Sequence, residues 1–146
     1  MARLGPFVIR LALGVIFFAH GAQKMLGWWG GAGFSGTVEA FTKQGMPAPM
    51  AMLVIAAEFF GGLGVFFGCL TRLAAFGIAA VMTGAIFLVH IQNGFFLNWF
   101  NVPGKGHGFE CNLGYLAMAA SLMLTGAGPV SIDALRGGKR TDLDAG

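Results

Sequence analysis

The stretch Arg10-Leu11-Ala12-Leu13-Gly14-Val15-Ile16-Phe17-Phe18-Ala19-His20-Gly21-Ala22-Gln23-Lys24 decides the fold. It is apolar apart from Arg10, His20, Gln23 and Lys24 and belongs to a run from Pro6 to about Met25. That is close to the roughly 20 residues with which a helix crosses about 30 Å of hydrocarbon. Three more apolar runs follow, from Pro49 to Cys69, from Arg72 to Asn93 and from about Cys111 to Ala127. In a chain of 146 residues this predicts an all-α, integral membrane four-helix bundle. The expected spans are about 6–25, 49–69, 72–93 and 110–127, in one domain over residues 1–135, with a polar tail at 136–146. The composition is 56% hydrophobic and 10% charged, against about a quarter charged in a soluble domain. The net charge of +3 is dispersed, with no basic run among aromatics, so nucleic-acid binding is set aside.

Arg3 before an apolar stretch also describes a signal peptide, but Arg10 interrupts the apolar core such a signal needs, and no small-x-small cleavage site follows. The segment is therefore read as the first span. Arg3, Arg72, Arg136, Lys139 and Arg140 fall on one face, and Lys24, Lys43 and Lys105 on the other. The excess of basic residues predicts that both termini are cytoplasmic, in a multi-pass protein of a bacterial inner membrane. Cys69 and Cys111 then lie about a bilayer apart and cannot form a disulfide within one chain.

The loops between spans are aromatic. Trp28 and Trp29 suit a headgroup region, and Ser35 to Gln44 reads as a short interfacial helix. Residues 94–109, with Phe95, Phe96, Trp99 and Phe100, are expected to fold back over the bundle as a lid or to lie in the interface as an anchor. Gly64 and Gly68, and Ala80 and Gly84, have the spacing of close helix packing, which favours ordinary tight packing over a homo-oligomer face.

Ionisable groups inside a membrane segment cost about 2.5–3.5 kcal/mol each on insertion scales and should meet partners in the protein. Arg10, His20, Lys24, Glu58, His90 and Glu110 all lie within or at the mouths of the spans. Depth places His20, Lys24, His90 and Glu110 in the outer half, with Gln23 on the face of His20 and Lys24. Glu58 sits near the middle, within reach of Arg10 or His20, and Lys24 can pair with Glu110. His107, in a Gly-rich loop, is expected to be solvated. Three readings follow. One is a quinone pocket, an apolar slot with hydrogen-bond donors and a proton route, in which Glu58, His20 and His90 do the chemistry and Arg10, His20, Gln23, Lys24, His90 and Glu110 bind the ligand. The second is haem held by His20 and His90. The third is a purely structural ion-pair network. No resident metal is expected.

The first-span stretch, with Gly45-Met46-Pro47, Glu58-Phe59-Phe60-Gly61-Gly62, Gly68-Cys69-Leu70-Thr71-Arg72, His90-Ile91-Gln92-Asn93-Gly94-Phe95-Phe96 and Gly108-Phe109-Glu110, closely resembles the DoxX family of four-helix bacterial inner-membrane proteins. The resemblance runs to about Asp133. It implies a link to redox metabolism, since relatives are tied to thiosulfate:quinone oxidoreductase as a membrane subunit and to a mycobacterial complex joining superoxide removal to thiol handling. Arg10, His20, Gln23, Lys24, Glu58, Arg72, His90 and Glu110 match positions the family pattern emphasises, but no catalytic role comes with them. A more distant likeness to quinone-linked disulfide-forming bundles lacks their paired cysteines. The expected function is a membrane subunit or partner of a redox system that interacts with quinone, membrane lipids and a partner oxidoreductase. The alternatives are a non-enzymatic scaffold, a small-solute carrier or a haem-binding electron carrier.

Overall fold

The computed structural model describes residues 4–136. The described chain contains the helices α1 (Gly5–Leu26), α2 (Gly33–Lys43), α3 (Ala48–Phe67), α4 (Thr71–Ala85) and α5 (Glu110–Thr125), and residues 132–136 are also helical. α4 continues through a π-helical turn, Ile86–His90, and a 3-10 turn, Ile91–Asn93. Helix ends fall where the sequence supplies a residue for the left-handed region. Gly27 terminates α1 at φ 74°. Gly68 terminates α3 at φ 67°, with the Cys69 amide returning to Gly64 O at 2.8 Å.

Gly5–Leu26, Ala48–Phe67 and Thr71–Asn93 are each long and apolar enough to cross a membrane. α5 differs from expectation. Its 16 residues span about 24 Å at 1.5 Å per residue, short of the hydrocarbon thickness. It starts at Glu110 and is ended by the extended Gly126, at φ 75° and ψ −164°.

The helices pack in the order α1, α3, α4, α5, and α5 also touches α1 along a limited stretch. α1 and α3 approach most closely. A Cβ on Gly21 would collide with the backbone of Phe59, and one on Gly62 with the backbone of Phe18. Gly61 and Gly64 instead face α4, at Ile78 and Ala74. The glycines of α3 thus serve packing within one bundle, while Gly84 meets nothing within 4 Å. The core layer is Leu13, Phe17, Val65, Ala75, Ile78, Ala119 and Leu122. Large apolar side chains such as Val8, Leu53, Phe60, Leu73, Phe76 and Leu124 point outward, as the surface of a lipid-embedded bundle requires. The free thiols Cys69 and Cys111 start from opposite ends of the bundle, Cys69 just after α3 and Cys111 in the first turn of α5.

One end of the bundle, here the terminal end, holds the start of α1, the α3–α4 turn and residues 126–136. The other, the loop end, holds α2 and residues 94–109. α2 packs across α1 and α3 there. The 94–109 segment is tied down by backbone bonds from Gly108 N to Phe96 O, Phe109 N to Gly94 O and Glu110 N to Phe95 O. Its aromatic rings turn outward rather than down onto the helices; Trp99 is 70% and Phe100 92% exposed. These rings do not cover the bundle as a lid would.

Candidate functional site in the loop-end half of the bundle

Helical periodicity builds the site. Seven residues advance a helix by about 10 Å and return to nearly the same face. From the core layer toward the loop end, that step leads from Leu13 to His20 and from Phe17 to Lys24 on α1. It leads from Val65 to Glu58 on α3, and from Ala119 to Asn112 and Leu122 to Tyr115 on α5. α4 adds Met82 and Ala85, both apolar, at this level. A polar layer therefore sits directly above a packed apolar one.

Its centre is an ion pair. Lys24 Nζ donates to Glu58 Oε2, with the Glu58 side chain 7% and the Lys24 side chain 24% exposed. Gly21, one turn before Lys24, lets the α3 backbone come close enough for the two to meet. Thr37 of α2, itself buried, donates from Oγ1 to Lys24 O at 3.3 Å and closes that end of α1. His20 is exposed and makes no side-chain hydrogen bond to a described residue, although Leu13 and Phe17 on the same face are fully buried. Asn112 Nδ2 has only the Met82 thioether, at 3.5 Å. Tyr115 packs edge-on against Phe17, ring centroids 5.8 Å apart.

Three pairing expectations are corrected. Arg10 does not reach Glu58. It lies at the terminal end, donating from Nη1 to Ala127 O at 3.1 Å and from Nη2 to Val130 O at 2.8 Å. His20 does not approach Glu58, because Lys24, one turn farther along a longer side chain, takes the carboxylate. Lys24 is consequently unavailable to Glu110, which instead accepts from Leu97 N and Trp99 Nε1, both at 3.1 Å. His107 is exposed but held: its Nδ1 accepts from Asn98 N at 3.2 Å, and its carbonyl accepts from His90 Nδ1 at 2.8 Å. Since a carbonyl only accepts, His90 carries its proton on Nδ1. The π and 3-10 turns end the regular register of α4 just where His90 falls, so this residue ties down the loop. Gln23, half-buried, makes no side-chain hydrogen bond to a described residue. Among the described residues no group of three or more His, Cys, Asp or Glu is placed to hold a metal ion.

The sequence reading passed over three polar residues that organise the molecule. Asn112 and Tyr115 are legible as the seven-residue partners of Ala119 and Leu122, once the core face of α5 is known. Asp133 is the third. Its Oδ2 accepts from Thr71 N at 2.9 Å and Thr71 Oγ1 at 2.8 Å, and its Oδ1 from Leu70 N at 2.9 Å, capping α4 from a segment 62 residues away. Partial burial pushes this carboxyl up, but the Thr71 and Leu70 donors and the Arg136 charge outweigh it, and the net position is below the ordinary carboxylate value. A depressed folded-state pKa stabilises above the unfolded value of about 3.9 and is lost as pH falls through the folded one. Asp133→Ala should therefore cost about 0.5–2 kcal/mol at pH 7, a typical capping loss. The gap between wild type and variant should close as thermal unfolding is followed down into that acid range. Equal melting temperatures at pH 7 would deny the cap its role. Two surface clefts of about 400 and 340 Å³ also lie at this end, around Thr71, Asp133 and Ser131, away from the polar layer.

A helix bundle with apolar flanks and a lysine–glutamate pair in its interior defines a membrane protein with a polar site inside the bundle. The family profile of DoxX matches residues 5–91, and the chain belongs to that family. Its relatives include "Putative oxidoreductase CatD" of Bacillus subtilis (strain 168), 36% identical over 95 residues, which cover 65% of this chain and 66% of that protein, just under two thirds of its length. "Inner membrane protein YqjF" of Escherichia coli (strain K12) is 30% identical over 138 residues, covering 90% of this chain and 92% of that protein. No solved structure matches.

Proposed function

We propose that this chain is a bacterial inner-membrane subunit or partner of a redox system, binding a quinone in the loop-end half of the bundle and acting with a partner oxidoreductase. The observation that carries the reading is the Lys24–Glu58 pair with the unpartnered His20 one turn deeper. A quinone supplies a two-electron, two-proton couple on an apolar ring. Lys24 and His20 are donors for a ring oxygen. Glu58, held by Lys24, and His20 are the groups with the chemistry to pass protons. The names of CatD and YqjF support the redox and inner-membrane parts of the proposal. In the sequence, Arg3, Arg72, Arg136, Lys139 and Arg140 flank the spans on the side of the termini, against Lys24, Lys43 and Lys105 on the other, a bias that supports cytoplasmic termini. The scaffold alternative has its own support, since Arg10, Asp133 and Glu110 are all engaged by backbone groups.

Gentle purification from native membranes, with mass spectrometry of retained quinones and proteins, is the test. Wild type should retain quinone and a partner subunit. Glu58→Gln should fold at equal levels yet lose partner-dependent quinone reduction, and His20→Ala should weaken it. Normal activity in both variants would overturn the proposal in favour of a scaffold, and solute flux in vesicles without electron transfer would overturn it in favour of a carrier.

A further inference from the structure

We infer that the larger cleft at the terminal end, where α4 begins beside the end of α5, binds an anionic phospholipid: the Arg72 guanidinium takes the headgroup phosphate, and an acyl chain runs from there along exposed apolar side chains toward the middle of the bilayer. The site lies at the opposite end of the bundle from Lys24 and Glu58 and is independent of the quinone reading. The cleft, of about 400 Å³, is lined by Leu70, Leu73, Gly126 and Ala127 around Arg72, with the Asp133 carboxylate beside it. Arg72 is the second residue of the span Thr71–Asn93, so it stands at the boundary between hydrocarbon and headgroups. Its side chain lies across the neighbouring helix end: Nη2 donates to Leu124 O at 3.4 Å, and Nε is 3.6 Å from where a Cβ on Gly126 would stand. Gly126, at φ 75° and ψ −164°, has a conformation essentially confined to glycine. The end of α5 thus makes room for the guanidinium. One long hydrogen bond occupies one of its five N–H donors. The residue is exposed, and the other donors meet no described acceptor.

The charge at this end suits an anion. Among the described residues Arg10, Arg72 and Arg136 stand here against the single carboxylate of Asp133. That carboxylate is already engaged, since its two oxygens accept from Leu70 N, Thr71 N and Thr71 Oγ1 and so close the start of α4. Arg72 pairs with no carboxylate among the described residues. Arg136 Nη1, 3.9 Å from the Sγ of Cys69 next to Leu70, brings a second cation to the same neighbourhood. A guanidinium fork matches two oxygens of a phosphate. The apolar surroundings decide between a lipid and a soluble anion. Leu70 and Leu73, both in the cleft wall, are exposed, as are Leu124 and Phe76. Phe76 follows Leu73 on the same face of α4, three residues farther into the span. A free anion has no use for this apolar strip, whereas a phospholipid carries its phosphate and its chains at this relative depth, and basic pockets between transmembrane helices hold anionic headgroups in this way.

The full chain would be placed in nanodiscs of phosphatidylcholine with a minor share of phosphatidylglycerol, two lipids whose headgroups differ by a net negative charge, and the lipids it retains on release would be weighed by native mass spectrometry. Wild type should retain phosphatidylglycerol in preference to phosphatidylcholine. Arg72→Gln should reduce that preference about fivefold, the effect of one basic side chain at a charged membrane surface, and Lys43→Gln, at the loop end, should leave it unchanged. A phosphatidylglycerol with a diazirine in its acyl chain should label Leu73, Phe76 or Leu124 in the wild type. This measurement needs no substitution and carries the test if Arg72→Gln fails to fold. Excess inorganic phosphate should not displace the lipid. Equal retention of the two lipids by wild type, an undiminished preference in Arg72→Gln, or labelling spread evenly around the bundle overturns the site. Displacement by inorganic phosphate overturns the lipid as its occupant in favour of a free anion.

Discussion

Lys24→Met is expected to destabilise the protein by about 3–5 kcal/mol, the usual consequence of stranding one buried member of an ion pair. Glu58 is 7% exposed and sits mid-helix, with no route by which its carboxylate can turn to water. The reverse change is milder. Lys24 lies in the last turn of α1 and is 24% exposed, so in Glu58→Gln its ammonium can extend along its flexible stem toward the loop end. The doubly apolar Lys24→Met with Glu58→Leu should recover to within about 1 kcal/mol of wild type, because both desolvation costs disappear together. Thermal unfolding of the four proteins at equal lipid ratio measures this cycle. A double variant as unstable as Lys24→Met alone would show that these residues act through other neighbours and would remove the pair from the centre of the site.

The apolar runs and their glycine stops were readable in the sequence because each is a local property. Pro6, Gly27, Pro47 and Gly68 bracket α1 and α3 close to the expected bounds. Depth was legible only in part: both Lys24 and Glu58 were candidates, but the residue count put Lys24 in the outer half and Glu58 near the middle, whereas the two side chains meet. Their partnership was not legible, since it depends on rotation about each helix axis and on how closely two backbones approach. Gly21 and Gly62 set that approach, and a glycine in a sequence does not say which helix it admits. His90 and Glu110 show a second limit. Both are near the right depth, but the π turn of α4 and the first turn of α5 hand them to the 94–109 loop. The depth count assumed regular helices to the ends of the spans. Asn112 and Tyr115 were missed because neither is charged and a search for intramembrane charge does not stop at an amide or a phenol.

Arg10 supplies the second large effect, and it concerns the terminal end alone. The guanidinium is 2% exposed, lies 5.6 Å from the Phe7 ring centroid and donates to two carbonyls, Ala127 O and Val130 O, in the segment that follows α5. Val130 holds a φ of 59° and Gly128 one of 68°, a conformation costly for valine and maintained here by what the carbonyls bind. Gly68 has no Cβ because the guanidinium and Ser131 fill that space. The segment then reaches Asp133, which caps α4, so one side chain of α1 positions the cap of another helix. Arg10→Leu leaves two carbonyls without a donor and a gap beside Gly68, and hydrogen bonds to a charged donor contribute about 1.5–3 kcal/mol each. The expected loss is about 3–5 kcal/mol, accompanied by faster maleimide labelling of Cys69, which lies half-buried 3.9 Å from Arg136 in the same assembly. Arg10→Lys should recover less than half of the stability, because a single ammonium cannot reach both carbonyls in the forked geometry of a guanidinium. Wild-type stability and unchanged Cys69 labelling in Arg10→Leu would contradict this structural role and return Arg10 to the list of residues available for chemistry.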